Sequence, residues 1–433
     1  MKLYAAYSPI RPSRATLALC LLLAINMFNY VDRYVLASVE GHVRAEFFSA
    51  DDHNAKRDTG FLSTAFLLSY MFAAPVFGWL ADRTSRWAIV GGGVIVWSLA
   101  SGGSGLAPTY LAMLLTRVFI GIGEAAYGPA APTLISDLYP VEKRGRKMAW
   151  FYMAIPVGSA LGYLLGGIVA THWHWRWAFY LSVPPGIALG VCALLMRDPP
   201  RGSSEEAVPS RNARWSDYLV LARTPSYVLN TLGMTAMTFA VGGMAFWMPT
   251  YISEFRGLDD LAGVSTTFGA ITVVAGIVGT LAGGLLGDWL RPRWPGSYFL
   301  VSGAGMLIAF PFFLAALYVP FPYAWGLIFL TELCVFLNTG PSNAALANVT
   351  PPAIRASAFA VNIFLIHLLG DAISPPLIGW VSGRFHDAMN RDNMNAGFLC
   401  VSAAILIAGV VWLFAARYLA RDTELAPRRL MDP

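Results

Sequence analysis

Apolar residues recur along the chain in blocks of about twenty, each long enough to cross a hydrocarbon core of about 30 Å. The blocks fall near residues 15–41, 58–81, 87–106, 109–138, 146–171, 177–197, 225–253, 264–289, 297–318, 322–348, 355–383 and 395–420. They are continuous rather than alternating every second residue, which predicts helices and excludes a β-barrel. The longest polar interruption runs from Asp198 to Arg223, with prolines, Gly202-Ser-Ser and mixed charges. The pattern predicts an all-α integral membrane protein of twelve transmembrane helices. Residues 1–197 form a first six-helix bundle, 198–224 a linker, and 225–433 a second bundle. Residues Trp215 to Arg223 read as a short interfacial helix or a plain linker. The first apolar run is about twice the length of a signal-peptide core, so it is read as a retained helix.

Composition agrees with this reading. Apolar residues are 56% of the chain, charged residues 13%, and the mean hydropathy is +0.56. Soluble domains carry about 25% charged residues. Basic residues concentrate on alternate connections: Lys2, Arg11 and Arg14; Arg83 and Arg86; Lys143 to Lys147; the linker; Arg291 and Arg293; Arg355; and the C-terminal tail. The positive-inside rule then puts both termini in the cytoplasm, and a plasma (inner) membrane is the expected location. The net charge of +5 follows from these clusters. They face anionic lipid headgroups, and nothing in them calls for nucleic acid. Cys20, Cys192, Cys334 and Cys400 each sit alone in a different span, so no disulfide, metal site or cofactor is expected.

Charges inside spans change the picture from scaffold to pathway. At about 100° per residue, Asn26, Asn29, Asp32 and Arg33 fall within an arc of roughly 120° on the first helix. Charged groups at membrane depth are costly and usually face a partner or a watery cavity. Arg117 and Glu124 lie two turns apart on span four. Asp32 and Arg117 fall at similar depth on helices running in opposite directions, which predicts a pair, with Arg33 competing for the same carboxylate. Glu124 lies nearer the midplane with no adjacent cation, which makes it the leading proton carrier and Asp32 the second. The bland alternative is a static network that orients helices.

In the second half, His367 and Asp371 are four apart on one helical face, and Glu332 lies on span ten before Gly340-Pro341. Phe246 and Trp247 on span seven form an apolar cavity wall or simply face lipid. The candidate cavity lining is therefore Asn29, Tyr30, Tyr127, Phe246, Trp247, Glu332, Asn338, His367 and Asp371.

A repeat links the two halves. Gly78-Trp-Leu-Ala-Asp82-Arg83-Thr-Ser-Arg86 follows span two, and Gly284-Leu-Leu-Gly287-Asp288-Trp-Leu-Arg291 follows span eight. Glycine admits a close helix neighbour. The aspartate can accept from a helix N-terminus or an arginine in one state and lose those bonds in another. Gly78, Asp82, Arg83, Arg86, Gly284, Asp288 and Arg291 are the candidate gate.

Twelve spans, a polar central linker and this loop resemble the major facilitator superfamily. Asn29-Tyr30-Val-Asp32-Arg33, Arg117…Gly121-Ile-Gly123-Glu124-Ala-Ala-Tyr127, Pro132…Asp137-Leu-Tyr, Asn348…Arg355 and His367-Leu-Leu-Gly370-Asp371-Ala-Ile-Ser374-Pro375 are similar to the Spinster lipid transporters. The segment Glu40 to Asp58 departs from that pattern in length and charge. The resemblance implies alternating access by a monomer, with a lysophospholipid-like or sphingoid amphiphile as substrate and protons as the coupling partner. A small organic-anion symporter would need basic groups from both halves, and the second half has no mid-span arginine or lysine. An integral membrane enzyme would need a nucleophile, metal cluster or phosphate loop. Gly121-Ile-Gly123 sits within a span, not after a strand.

Overall fold

The computed structural model describes residues 12–49, 55–204, 215–258, 261–385 and 393–430. Lys2, Arg11, Arg391 and the middle of the expected linker, 205–214, lie outside the described residues. Among the described residues, twelve helices are long and apolar enough to cross a membrane: α1 (Arg14–Phe47), α2 (Asp58–Ala81), α3 (Arg86–Leu106), α4 (Tyr110–Leu138), α5 (Val141–His172), α6 (Trp177–Leu194), α7 (Pro225–Phe255), α8 (Gly263–Leu290), α9 (Ser297–Ala316), α10 (Tyr323–Val349), α11 (Pro352–Arg384) and α12 (Met394–Leu425). The expected blocks and these helices coincide closely. The main difference is α1, which continues past residue 41 to Phe47. Part of the charged segment after Glu40 is thus helix, and Glu40 accepts from Arg44 one turn on at 3.0 Å.

Packing repeats across the halves. In the first half α1 packs on α5, α2 on α4, and α3 on α4 and α6; in the second, α7 packs on α11, α8 on α10, and α9 on α10 and α12. The halves meet where α2 packs on α11 and α5 on α8 and α10. Small residues allow the tight pairs: a Cβ at Gly162 of α5 would stand 2.5 Å from the Val31 carbonyl of α1. Large apolar side chains such as Phe72, Leu106 and Leu195 are exposed on the outside. In a bilayer these face hydrocarbon and need no further cover.

Four spans break at matched places. The α4 helix is interrupted at Gly128-Pro129, and α10 at Leu337-Asn338, with Pro341 in the first turn after the break. The α5 helix breaks at Met153, three residues before Pro156, and α11 takes a π-turn over His367–Asp371 before Pro375. Proline lacks an N–H and clashes with the preceding turn, so each helix restarts around it.

Candidate gate and central polar site

Twelve spans return the chain to its starting side, here called the terminal face. On that face α5 and α11 begin, and each start is capped from the opposite half. Asp82 accepts from the Ala356 and Ser357 N–H groups, both at 2.9 Å, and from the Ser357 hydroxyl at 2.5 Å. Asp288 accepts from the Arg146 N–H at 2.9 Å and the Tyr298 hydroxyl at 2.8 Å. These N–H groups belong to the first α-helical turns, which begin at Arg355 and Arg144 after the short 3-10 turns that open α11 and α5, and carry the positive end of the helix dipole. Burial pushes the Asp82 carboxyl up, to about 6, with its hydrogen bonds acting in the other direction. The glycines do what close approach requires. A Cβ at Gly78 would lie 2.8 Å from the Ala356 carbonyl oxygen, and one at Gly284 2.7 Å from that of Gly145.

The arginines of the repeated loop play a different part. Arg86 is buried inside its own half, where it pairs with Asp137 and, at 2.7 Å, with Asp198. Arg83 lies over the Trp79 ring and donates to the Tyr218 hydroxyl at 2.9 Å. Arg291 stacks on Tyr298 at 5.3 Å. The crossing arginines are two others. Arg355 donates to Asp137 Oδ1 at 3.1 Å, and Arg144 donates to Asn348 Oδ1 at 2.7 Å. Both are buried. Asp137, Arg144 and Asn348 were absent from the expected gate, yet a signal for them existed. Asp137-Leu-Tyr-Pro140-Val-Glu-Lys-Arg144 and Asn348-Val-Thr-Pro351-Pro-Ala-Ile-Arg355 carry proline and arginine at the same offsets.

At mid-membrane the structure reassigns the charges. Arg33 donates from Nε to Glu124 Oε2 at 2.6 Å. The guanidinium stands 5.0 Å from the Tyr30 ring, 4.8 Å from Phe66 and 5.1 Å from Tyr70. Tyr70 in turn meets the His367 ring edge to face at 5.8 Å, and His367 Nδ1 is 2.9 Å from Asp371 Oδ2. One contiguous line thus runs from α4 through α1 and α2 to α11, joining the halves. Phe66 and Tyr70 are members that spacing on the charged helices did not reveal.

Two expectations are corrected. Glu124 does have an adjacent cation, Arg33. Asp32 and Arg117 form no ion pair within 4 Å. Asp32 instead accepts from Ser101 at 2.5 Å, and Arg117 donates to Ser104, one turn along α3, with its guanidinium 5.3 Å from the Phe179 ring. Equal depth brought Asp32 and Arg117 to one level, but serines of α3 stand at their side. Arg33, one residue on and 100° around the helix, faces α2 and α4, and its long side chain reaches Glu124. Four buried groups keep an atom without a hydrogen-bond partner here: Asn29 Nδ2, Asp32 Oδ2, Arg117 Nε and Glu124 Oε1.

The remaining cavity candidates divide. Asn29 is buried with its Nδ2 unpartnered, Tyr30 lies against Arg33, and Glu332 is buried with Oε2 unpartnered. Three are reassigned. Tyr127 is buried, donates to the Leu22 carbonyl at 2.7 Å and packs on Trp97 and Phe151, so it is a core residue of the first half. Asn338 donates to the Val335 carbonyl and serves the break in α10. Trp247 turns to α11, donating to the Pro375 carbonyl at 2.9 Å, while its neighbour Phe246 is exposed.

The model of the Major Facilitator Superfamily matches residues 22–375. The chain is 38% identical to protein spinster homolog 1 of Homo sapiens over 90% of its own length and 76% of that protein. Among solved structures, it is similar to a bacterial homolog of the human lysosomal transporter Spinster, inward-facing and unoccupied, with TM-score 0.59 and 21% identity over 98% of this chain and 100% of that one. It is also similar to the transporter FucP in its outward conformation, with TM-score 0.71 and 16% identity over 93% of this chain and 99% of that one.

Proposed function

We propose that this chain, a membrane transporter that belongs to the major facilitator superfamily and within it to the Spinster family, moves an amphiphilic lipid by alternating access coupled to protons. The observation that carries the reading is the Arg33–Glu124 pair in its aromatic setting. A buried carboxylate with one oxygen bound to arginine and the other unpartnered has two stable options. It stays charged while the arginine is on it, or takes a proton when the arginine is drawn away. An anionic headgroup meeting Arg33 would draw it away, while Tyr30, Phe66 and Tyr70 offer apolar faces to the adjoining chain. Displacement would also be felt through Tyr70 at His367 and Asp371, on the other half. With both termini in the cytoplasm of the plasma (inner) membrane and a single chain as the working unit, the closed terminal face belongs to an outward-facing state. Asn29 and Glu332 line the route.

The second reading is a proton-coupled symporter of small organic anions. Arg33 would suit it, but the described spans of the second half hold no arginine or lysine at mid-span, and Glu332, His367 and Asp371 are a poor clamp for a second anionic group. Uptake into proteoliposomes, with and without a pH gradient, decides between them. For a lysolipid series, transport should rise with chain length and then level off, since each buried methylene is worth about 0.8 kcal/mol. Flat dependence on chain length together with gradient-driven uptake of a dicarboxylate would replace the lipid with the anion.

A further inference from the structure

A groove separate from the central site opens between α2, α7 and α11 toward the terminal face, with a volume of about 430 Å³. Its walls are Pro75 and Trp79 of α2, Val228 and Leu232 of α7, and Val361 and Leu365 of α11. Leu232 is exposed on its rim. Tyr218, in the short helical stretch before α7, closes the end nearest the terminal face. There the chemistry changes from apolar to basic. Arg83 lies over Trp79 and donates to Tyr218. Arg223 is exposed one residue beyond the lining residue Ala222, while Arg201 is tied to the Ala81 and Thr84 carbonyls and does not line the groove. None of the lining residues is acidic.

A slot of this size is within the range of small-molecule sites. Its mouth lies among lipid-facing helices, so hydrocarbon rather than water fills it, and basic residues at its membrane-surface end attract anionic headgroups. We propose that the groove holds one acyl chain of a resident anionic phospholipid whose phosphate meets Arg83 and Arg223, and that this lipid holds the gate closed. Its walls come from opposite halves: Pro75 and Trp79 from the first, the rest from the second and the linker. Gly78, one residue before Trp79, is the close contact with Ala356 that must part when the terminal face opens. Opening therefore dismantles the groove. A ligand that binds only one of two states shifts the population toward it. The inference needs neither the proposed substrate nor proton coupling.

The test compares spin-label distances across the terminal face in phosphatidylcholine nanodiscs with and without phosphatidylglycerol. Phosphatidylglycerol should raise the closed-to-open ratio about fivefold or more, and Leu365→Trp, which fills the slot, should abolish the rise. Native mass spectrometry should find one more phosphatidylglycerol on the wild type than on that variant. Should the variant fail to fold, a photoactivatable phosphatidylglycerol on the wild type should label peptides containing Trp79 or Leu365. A closed fraction indifferent to phosphatidylglycerol, labelling elsewhere only, or displacement of the bound lipid by an equal amount of a single-chain lysolipid would overturn the proposal.

Discussion

The first half holds Asp32, Arg33, Arg117 and Glu124 inside its spans; the second holds Glu332 and the His367–Asp371 pair, and no arginine or lysine at mid-span. At the terminal face the two halves are instead near copies. Asp82 and Asp288 cap each other's half, and Arg355 and Arg144 cross in opposite directions. Even there one difference stands out. Arg355 reaches the carboxylate of Asp137, whereas Arg144 reaches the amide of Asn348. A transporter of this build keeps its rim symmetric, because both halves must swing on it. Its centre is under no such constraint, and charge chemistry is concentrated on one side.

The largest effect should follow from breaking the centre. Glu124→Gln should abolish gradient-driven uptake in proteoliposomes while leaving expression and fold intact. The matching change on the second half, Glu332→Gln, should reduce uptake without removing its dependence on the gradient. Equal loss in both variants, or full activity in the first, would end the idea of a one-sided centre.

The next largest concerns the rim. Asp137→Asn leaves Arg355 and Arg86 facing a neutral group at a buried site, and losing one partner of a buried pair costs about 3–5 kcal/mol. Spin-label distances across the terminal face should move strongly toward open. Asn348→Asp gives Arg144 the carboxylate that Arg355 already has, and should move them modestly toward closed. A gate indifferent to both would make Asp137 a residue of the first half's own packing.

Asp82→Asn should open the terminal face about five- to 150-fold, a coupling of about 1–3 kcal/mol. The reason is that the amide nitrogen cannot accept from an N–H, so one of the two caps on α11 becomes donor against donor. A proton on Asp82 acts differently, since both oxygens keep acceptor capacity. The closed gate holds this carboxyl's pKa up, at about 6 against 3.8 for an ordinary aspartate. The closed state therefore binds the proton more tightly and gains as pH falls through about 6. Wild-type distances should shift toward closed between pH 7 and pH 5, and this slope should be missing in Asp82→Asn.

The smallest effect should come from Asp32 and Arg117. They do not touch, yet they flank the same turn of α3 through Ser101 and Ser104. A double-mutant cycle on thermal stability should give about 0.5–1 kcal/mol of non-additivity. Strict additivity would separate them altogether.

Much of this was legible in the residues themselves. The spans were, because twenty apolar residues in a row have few other uses. The glycines and aspartates of the gate were, because their spacing repeats. Depth along a helix could be read from span ends, and it brought Asp32 and Arg117 level. Rotation about the axis could not be read so well, and that is why Arg33 rather than Arg117 is the side chain on an acid. Tyr70 and Phe66 were hidden for another reason: an aromatic ring in an apolar run looks like lipid contact until a guanidinium is placed beside it. Tyr127 and Asn338 show the converse, polar groups satisfied by helix carbonyls, of α1 for the first and of its own α10 for the second, rather than by a cavity.

The reciprocal capping at the terminal face has a consequence for ancestry. A contact in which one half's aspartate meets the other's helix start, and the reverse, is the arrangement two identical subunits make around a two-fold axis. Gly78 on Ala356 and Gly284 on Gly145 repeat it at the level of single carbonyl oxygens. In such a dimer every substitution is made twice, and a carboxylate beside one arginine is a carboxylate beside both. Fusing the subunits into one chain removes that rule. Asn348, at the position that matches Asp137, is a difference no homodimer could carry on one side alone.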